Sequence, residues 1–276
     1  MRESIRAGGA DRMALRVLQA EAGSSPAATV GTLAGLARRL DLPEPARERF
    51  AELHARALAL PGAAKAEVLL RLLREFPHQM VVFTRFRATL DLLARTLAAA
   101  GVECAVFHGG MSRRERAVSL RRFEEGARVL LSSDAGSEGR NLQFCHAVCN
   151  FDLPWNPMVL EQRIGRLSRI GQRHDVQVFN LAAAGTLESH VLRMLDVKIR
   201  MFELVVGEID MVLGNLECED DFAERVLDLW VGADDERAFG ERIDRLGEEL
   251  VRAKEESLKT RAYDDALFGD RFVPEG

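Results

Sequence analysis

Arginines at helical spacing mark the stretch 151–173, FDLPWNPMVLEQRIGRLSRIGQR. We expect a helix to begin near Asn156 and to run through MVLEQRIGRLSRI. Gln162, Arg166 and Arg169 are four and three residues apart, which places them on one face of that helix. Arginine keeps its charge and offers a planar set of donors, so this face suits the binding of phosphate. A solvated basic helix is the alternative explanation of the pattern.

Strands and helices alternate around this stretch. Strand patterns cover QMVVFTRF, VECAVFHG, ARVLLSS, HAVCNFD and DVQVFNLAA, and helical patterns cover AEVLLRLLREF, ATLDLLARTLAAA and SRRERAVSLRRFEE. The last helix begins with a capping box from Ser112 to Glu115. This alternation predicts an α/β fold, a doubly wound parallel sheet flanked by helices, whose sites form at the carboxyl ends of the strands. The polar residues predicted there are Thr84, Arg85, His108, Gly109, Gly110, Ser133, Asp134 and Asp152.

Helical segments of different charge flank the predicted sheet. Residues 10–60 predict two or three helices, with Ser25 as an N-cap. Residues 1–202 hold 29 Lys and Arg against 21 Asp and Glu, whereas residues 203–276 hold 9 against 22. The basic part suits a polyanionic partner. The acidic part is expected to be a solvated helical appendage or a contact for a basic surface.

Composition favours a folded protein of the cytoplasm. No apolar run approaches the roughly 18 residues of a membrane span, and the N-terminus lacks the apolar core of a signal peptide. We therefore expect no membrane contact. The four cysteines form no C-x-x-C pair and fall mostly in apolar runs, which predicts reduced, buried thiols and no metal site.

The sequence Q-x-x-G-R-x-x-R-I-G-Q, with W-N-P seven residues before its first Gln, resembles the last motif of the Swi/Snf-like group of superfamily-two helicases and translocases. In that family the segment belongs to the second of two RecA-like lobes. The resemblance implies that Arg166 and Arg169 are arginine fingers for the γ-phosphate of ATP and that Gln162 helps to order the site. Such fingers stabilise the charge that develops during phosphoryl transfer.

Two further segments are similar to motifs of the same family. Asp134, Gly139 and Asn141 match D-x-x-x-x-G-x-N of motif V, in a glycine-rich segment that by itself is equally explained as an ordinary loop. VVFTRF resembles motif IV. The resemblance implies that ATP is bound with help from Asp134, Gly136, Gly139 and Asn141, and that the nucleic-acid backbone is contacted by Thr84, Arg85, His108, Gly109 and Ser133. A turn residue is the alternative explanation for His108.

The amino-acid sequences of these motifs are most similar to those of the bacterial RapA-like branch, which associates with RNA polymerase. Ser168 stands where eukaryotic remodellers have histidine, which weighs against nucleosomes as substrates. The resemblance divides the chain into a helical remnant of the interlobe region at 1–60, a helicase C-terminal lobe with motifs IV, V and VI at 61–200, and a brace helix with an acidic helical extension at 201–276.

The chain lacks the motifs of a first lobe. It contains neither G-x-x-x-x-G-K-[ST] nor an Asp-Glu pair that closes an apolar strand. We therefore expect ATP with Mg²⁺ to be bound mainly by a first RecA-like lobe, supplied in cis or in trans, and this chain alone to leave ATP unhydrolysed. The expected partners are double-stranded DNA and, by family analogy, RNA polymerase, which implies nucleoid association.

Two other classes of function stay open on the sequence. The lobe is alternatively a non-catalytic module that docks on DNA or RNA polymerase, in which case its binding survives loss of Arg166 and Arg169. A Rossmann-type nucleotide enzyme is the weakest reading, because G-x-G-x-x-G is absent after the first strand.

Overall fold

The computed structural model describes residues 9–60, 62–133, 142, 144–167, 172, 174–198 and 219–268. The chain divides into two compact units. The first unit comprises residues 1–154 and 162–189, and the second comprises residues 155–161 and 190–276. The division into 1–60, 61–200 and 201–276 that the family resemblance implies stays a prediction.

A five-stranded parallel sheet forms the centre of the first unit. The strands lie in the order β2-β3-β1-β4-β5, so β1 pairs with both β3 and β4. All five strands predicted from the apolar patterns are present, and the prediction of a doubly wound α/β fold is confirmed. Their bounds are Met80–Phe83 for β1, Cys104–Phe107 for β2, Val129–Ser132 for β3, Ala147–Asn150 for β4 and Gln177–Asn180 for β5.

Among the described residues, six helices precede β4 in the sequence. Ser25 caps α2 by accepting a hydrogen bond from the Ala28 N–H at 3.2 Å, as predicted. The Ser112–Glu115 capping box of α6 is also present. The bounds are Gly9–Ser24 for α1, Pro26–Ala37 for α2, Glu44–Ala59 for α3, Ala64–Glu75 for α4, Arg87–Ala99 for α5 and Arg113–Glu124 for α6.

Apolar side chains cover both faces of the sheet. On one face α4 and α5 bury Leu69 and Leu93 against Met80 and Val82. On the other face Phe123 of α6 and Leu167 pack against strand residues such as Phe83. β1, β3 and β4 are buried along their whole length, and strands buried on both faces have largely apolar sequences, which explains why the sequence indicated these three clearly.

The arginine-bearing helix is shorter than predicted. Helix α7 spans Pro157–Gly165, and Arg166 and Leu167 lie in a turn beyond it. The Leu167 N–H donates to the Ile164 carbonyl at 2.9 Å. This i to i−3 bond closes a smaller turn than the i to i−4 bond of an α-helix. The expectation that the helix continues through these two residues is therefore wrong. Glycine is a poor helix former, and it stands where the helix ends.

Most described residues of the second unit are helical. Helix α8, Leu187–Arg193, has its first three residues in the first unit, and a π-helical segment, Met194–Lys198, follows it. The acidic part of the chain forms α9, Glu219–Gly232, and α10, Glu236–Phe268, as predicted. Arg193 donates to Asp244 at 2.7 Å and Arg225 to Glu249 at 2.6 Å, so exposed ion pairs accompany the packing of this unit.

Candidate active site and nucleic-acid interface

The candidate site lies at the carboxyl ends of β1, β4 and β5. The Asn150 side-chain amide donates to the Asn180 side-chain oxygen at 2.8 Å, which ties the ends of β4 and β5 together. Asn150 is fully buried. Buried amides are stable only when their hydrogen bonds are made, so this end of the sheet is a fixed polar platform.

The turn after β1 is held by Asp152. One carboxylate oxygen of Asp152 accepts from the Thr84 hydroxyl at 3.2 Å and from the Arg85 backbone N–H at 2.9 Å. Burial raises the pKa of Asp152, and the neighbouring Arg163 guanidinium acts in the opposite direction. Thr84 is fully buried whereas Arg85 is exposed, so Arg85 is the member of this pair that faces solvent.

Arg163 fixes the arginine-bearing segment to the sheet. Its guanidinium donates to the Asn150 side-chain oxygen at 2.8 Å and to the Asp152 carbonyl at 3.2 Å. The same group lies 5.1 Å from the centre of the Phe83 ring, a cation–π distance. Only 2% of Arg163 is exposed. The sequence motif assigned Arg163 no role, although a further arginine beside Gln162 in an arginine-rich stretch was a signal.

Gln162 and Arg166 flank this anchored position. Gln162 is exposed and Arg166 is partly buried. The Arg166 carbonyl accepts from the Leu142 N–H at 3.3 Å, which places the turn after α7 beside Leu142. Arg169 lies outside the described residues, as do Asp134, Gly136, Gly139 and Asn141 of the predicted ATP site. The structure therefore leaves their assigned roles as predictions.

The ends of β2 and β3 carry the remaining predicted residues. Arg116 of α6 donates to the Gly109 carbonyl at 2.7 Å and to the Met111 carbonyl at 2.9 Å, which closes the turn after β2. The Ser133 N–H donates to the Phe107 carbonyl at 3.0 Å, so Ser133 lies at the same edge. His108 contacts Arg87, and burial, followed by the charge of Arg87, lowers the pKa of His108. A less basic imidazole beside arginines leaves the positive charge here to the guanidinium groups.

A buried ion pair lies beneath Asp152. The Lys65 ammonium donates to Glu188 at 2.5 Å and to the Phe151 carbonyl at 2.9 Å. The second oxygen of Glu188 accepts from the Leu153 N–H at 2.6 Å. Burial raises the pKa of Glu188, and the Lys65 charge opposes that rise. Neither residue could be assigned a role from the sequence, because 123 residues separate them and no local pattern joins them.

Other kinds of site are not formed by the residues that the structure describes. Among them, no three His, Cys, Asp or Glu side chains are arranged to hold a metal ion. The three described cysteines are free thiols, and burial raises the pKa of Cys149 to about 12. Within the same residues, no helix is both long enough and apolar enough to cross a membrane.

A five-stranded parallel sheet flanked by helices is the architecture of RecA-like helicase lobes. Residues 64–171 match the family described as helicase conserved C-terminal domain. Among solved structures, the chain is similar to the C-terminal part of the Fun30 ATPase domain, with 18% identity, a TM-score of 0.51, and 82% of this chain and 83% of that chain covered. At that identity the likeness shows the fold.

Relatives of known sequence refine the class. The chain is 35% identical over 239 residues to the uncharacterized ATP-dependent helicase YqhH of Bacillus subtilis, covering 86% of this chain and 43% of YqhH. It is 42% identical over 144 residues to the RNA polymerase-associated protein RapA of Proteus mirabilis, covering 50% of this chain and 15% of RapA. The chain thus spans less than half the length of these relatives. The matched region is the C-terminal, second RecA-like lobe of a Swi/Snf-like superfamily-two helicase, as its motifs predicted.

Proposed function

We propose that this chain supplies the second motor lobe of an ATP-dependent Swi/Snf-like translocase on double-stranded DNA. The observation that carries the proposal is Arg163, whose buried guanidinium fastens the arginine-bearing segment to the ends of β1 and β4. A fixed base lets Arg166 and Arg169 reach a phosphate that a facing lobe presents. Preorganised positive charge of this kind lowers the barrier to phosphoryl transfer, typically by ~10³ to 10⁵ in rate.

The remaining sites follow the same division of labour. Gln162 orders the γ-phosphate region, and Asp134, Gly136, Gly139 and Asn141 line the nucleotide. Thr84, Arg85, His108, Gly109 and Ser133 form the track for the DNA backbone, in which exposed Arg85 makes the charge contact and buried Thr84 holds the turn. Phosphate contacts of this sort bind without reading sequence.

ATP and Mg²⁺ are bound mainly by a first RecA-like lobe in cis or in trans. The Asp152 carboxylate, close to Arg163, is buried and bonded to the Thr84–Arg85 turn, so it is placed to hold protein rather than a hydrated cation. We infer that the chain alone leaves ATP unhydrolysed. As a DNA-bound motor it would reside in the cytoplasm, associated with the nucleoid.

A second candidate function is a docking module for DNA or RNA polymerase. The relatives named RNA polymerase-associated protein RapA favour it, since they are 42% to 49% identical over the regions they share with this chain. In this case the basic edge of the lobe binds its partner and the arginine fingers are dispensable.

DNA-stimulated ATP hydrolysis separates these functions. We would assay the chain alone and mixed with a first lobe from the same genome that carries Walker A and Walker B motifs. The motor proposal predicts hydrolysis in the mixture only, lost on Arg166→Ala or Arg169→Ala and kept on Arg71→Ala, an exposed position on α4. Hydrolysis by the chain alone would overturn it. The docking module would be favoured if the mixture were inactive and the chain bound DNA or RNA polymerase in a salt-sensitive way that both arginine substitutions left unchanged.

A further inference from the structure

Residues 151–153 are held from beneath by the ion pair of Lys65 and Glu188. Lys65 stands in the first turn of α4 and Glu188 in the first turn of α8. The lysine donates to the Phe151 carbonyl, and the glutamate accepts from the Leu153 N–H. The two partners therefore grip the backbone on both sides of Asp152.

Asp152 carries this restraint to the turn after β1. Its backbone lies between the two gripped residues, while its carboxylate binds the Thr84 hydroxyl and the Arg85 N–H. Its carbonyl accepts from Arg163. A shift of residues 151–153 would therefore move the DNA-facing Arg85 and the anchor of the arginine segment together.

The pair is an unpromising way to gain stability. The side chains of Lys65 and Glu188 are only 10% and 5% exposed, so both charges lose most of their hydration. Replacing a buried ion pair by neutral side chains of similar size is often neutral or stabilising. A pair retained at that cost is better explained by the geometry it imposes.

The surroundings of the pair keep water away from it. Gly23, near the end of α1, approaches so closely that a side-chain carbon there would lie 3.4 Å from the Glu188 carboxylate. The Phe151 ring lies 5.8 Å from the Lys65 ammonium. In such surroundings the two charge-assisted bonds to the backbone are strong and directional.

We propose that Lys65 and Glu188 are positioning residues that set the place of residues 151–153 and, through Asp152 and Arg163, align the DNA-facing turn with the arginine segment. The consequence for hydrolysis rests on the proposed motor function. The restraint on the backbone is independent of it.

The test uses Lys65→Met, Glu188→Met and the double variant of the full chain, so that the Phe151 carbonyl loses its donor and the Leu153 N–H loses its acceptor. The matched control is Glu103→Gln, which removes an exposed ion pair with Arg122 at 3.0 Å. Each single variant leaves one charge buried and unpaired, so the midpoint of thermal unfolding should fall well below that of the control. The double variant removes both charges and should recover most of the loss.

Backbone amide exchange separates positioning from stability. In the double variant, the Leu153 and Arg85 amides should exchange at least about tenfold faster than in the wild type, with the strand amides of β1 and β4 unchanged. Wild-type exchange at both amides would overturn the proposal. Uniformly faster exchange across the sheet would also overturn it, because it indicates a structural role only.

Hydrolysis in the mixture with a first lobe provides the second arm. The double variant should lower kcat at least about tenfold and leave KM for ATP nearly unchanged, because misplacement affects the transition state more than nucleotide binding. Wild-type kcat in the double variant would contradict the positioning role. An inactive wild-type mixture would refute the motor function alone, and amide exchange would still decide the role of the pair.

Discussion

The carboxyl ends of the strands, here called the carboxyl edge of the sheet, and their amino ends, the amino edge, are covered by different kinds of side chain. At the carboxyl edge, charged side chains are buried and bonded to backbone and to one another, as in Lys65 with Glu188 and in Arg163 with Asn150. At the amino edge, the rings of Phe76, His78 and His146 meet edge to face with centres 4.9 to 6.1 Å apart. Buried charged groups hold the carboxyl edge, whereas aromatic rings and the partly buried Arg128 close the amino edge.

The difference shows which end of the sheet is held in place by buried charged groups. An aromatic cap stabilises a sheet end through burial and ring contacts and tolerates small shifts. A shift that separates a buried charge from its partner destabilises the fold, because each unpaired buried charge costs several kcal/mol of folding free energy. The costly edge is the one that carries the arginine segment and the turn after β1.

The largest expected effect is from Arg163→Met. The substitution leaves the Asn150 side-chain oxygen and the Asp152 carbonyl without their buried donor. We expect the free energy of unfolding in urea to fall by about 3 to 5 kcal/mol, as for other broken buried charged contacts. A loss below about 1 kcal/mol would show that the carboxyl edge is no more constrained than the amino edge.

Asp152→Ala should have the next largest effect. The Thr84 hydroxyl and the Arg85 N–H both lose their acceptor, while the cost of burying a carboxylate is relieved. We expect the free energy of unfolding to fall by about 1 to 3 kcal/mol. Asp152→Asn keeps one acceptor oxygen and should recover much of this loss in the same urea titration. An equal loss in both variants would show that the hydrogen bonds from Thr84 and Arg85 to Asp152 do not account for the stabilisation.

Arg128→Met provides the matched substitution at the amino edge. Arg128 donates to the carbonyls of Leu73 and Phe76 at the end of α4. Water at this partly exposed helix end can replace the lost donors, so we expect a fall of about 1 kcal/mol. A fall as large as that of Arg163→Met would erase the contrast between the two edges.

Acidification should act through the amino edge with the smallest effect. Burial lowers the pKa of His146, and the charges of His174 and His78 lower it further. The folded chain therefore binds this proton less readily than the unfolded chain. The stability from neutral His146 is complete above its ordinary pKa of 6.5 and is lost as the pH falls below that value.

Urea titrations between pH 8 and pH 5 measure this dependence. His146→Gln should reduce the slope of stability against pH, because it removes the group whose pKa is lowered in the folded chain. An unchanged slope in His146→Gln would assign the acid sensitivity to other groups, of which His108 is one with a lowered pKa.

The sheet could be predicted from sequence because its signals are local. Runs of three or four apolar residues predicted β1, β3 and β4, and the Ser112–Glu115 spacing predicted the start of α6. The motif spacing likewise gave the family. The end of α7 was missed, since a three- or four-residue period continues through Gly165 even though the helix does not.

The polar platform of the site could not be predicted in the same way. Lys65 and Glu188 lie on different helices, and nothing near either residue in sequence indicates that both are buried. The sequence shows an arginine at position 163, but its burial follows from its bonds to Asn150 and Asp152 at the end of β4. Long-range pairs of this kind are fixed by tertiary structure, which a local pattern does not contain.

Single-turnover ATP hydrolysis by the two mixed lobes on double-stranded DNA tests the central claim most directly. We predict that Arg166→Ala lowers the hydrolysis rate at least ~10³-fold at saturating ATP, while Arg128→Met, assayed well below its unfolding temperature, retains most of the rate. Equal rates for wild type and Arg166→Ala would contradict the claim that this lobe completes the ATP site.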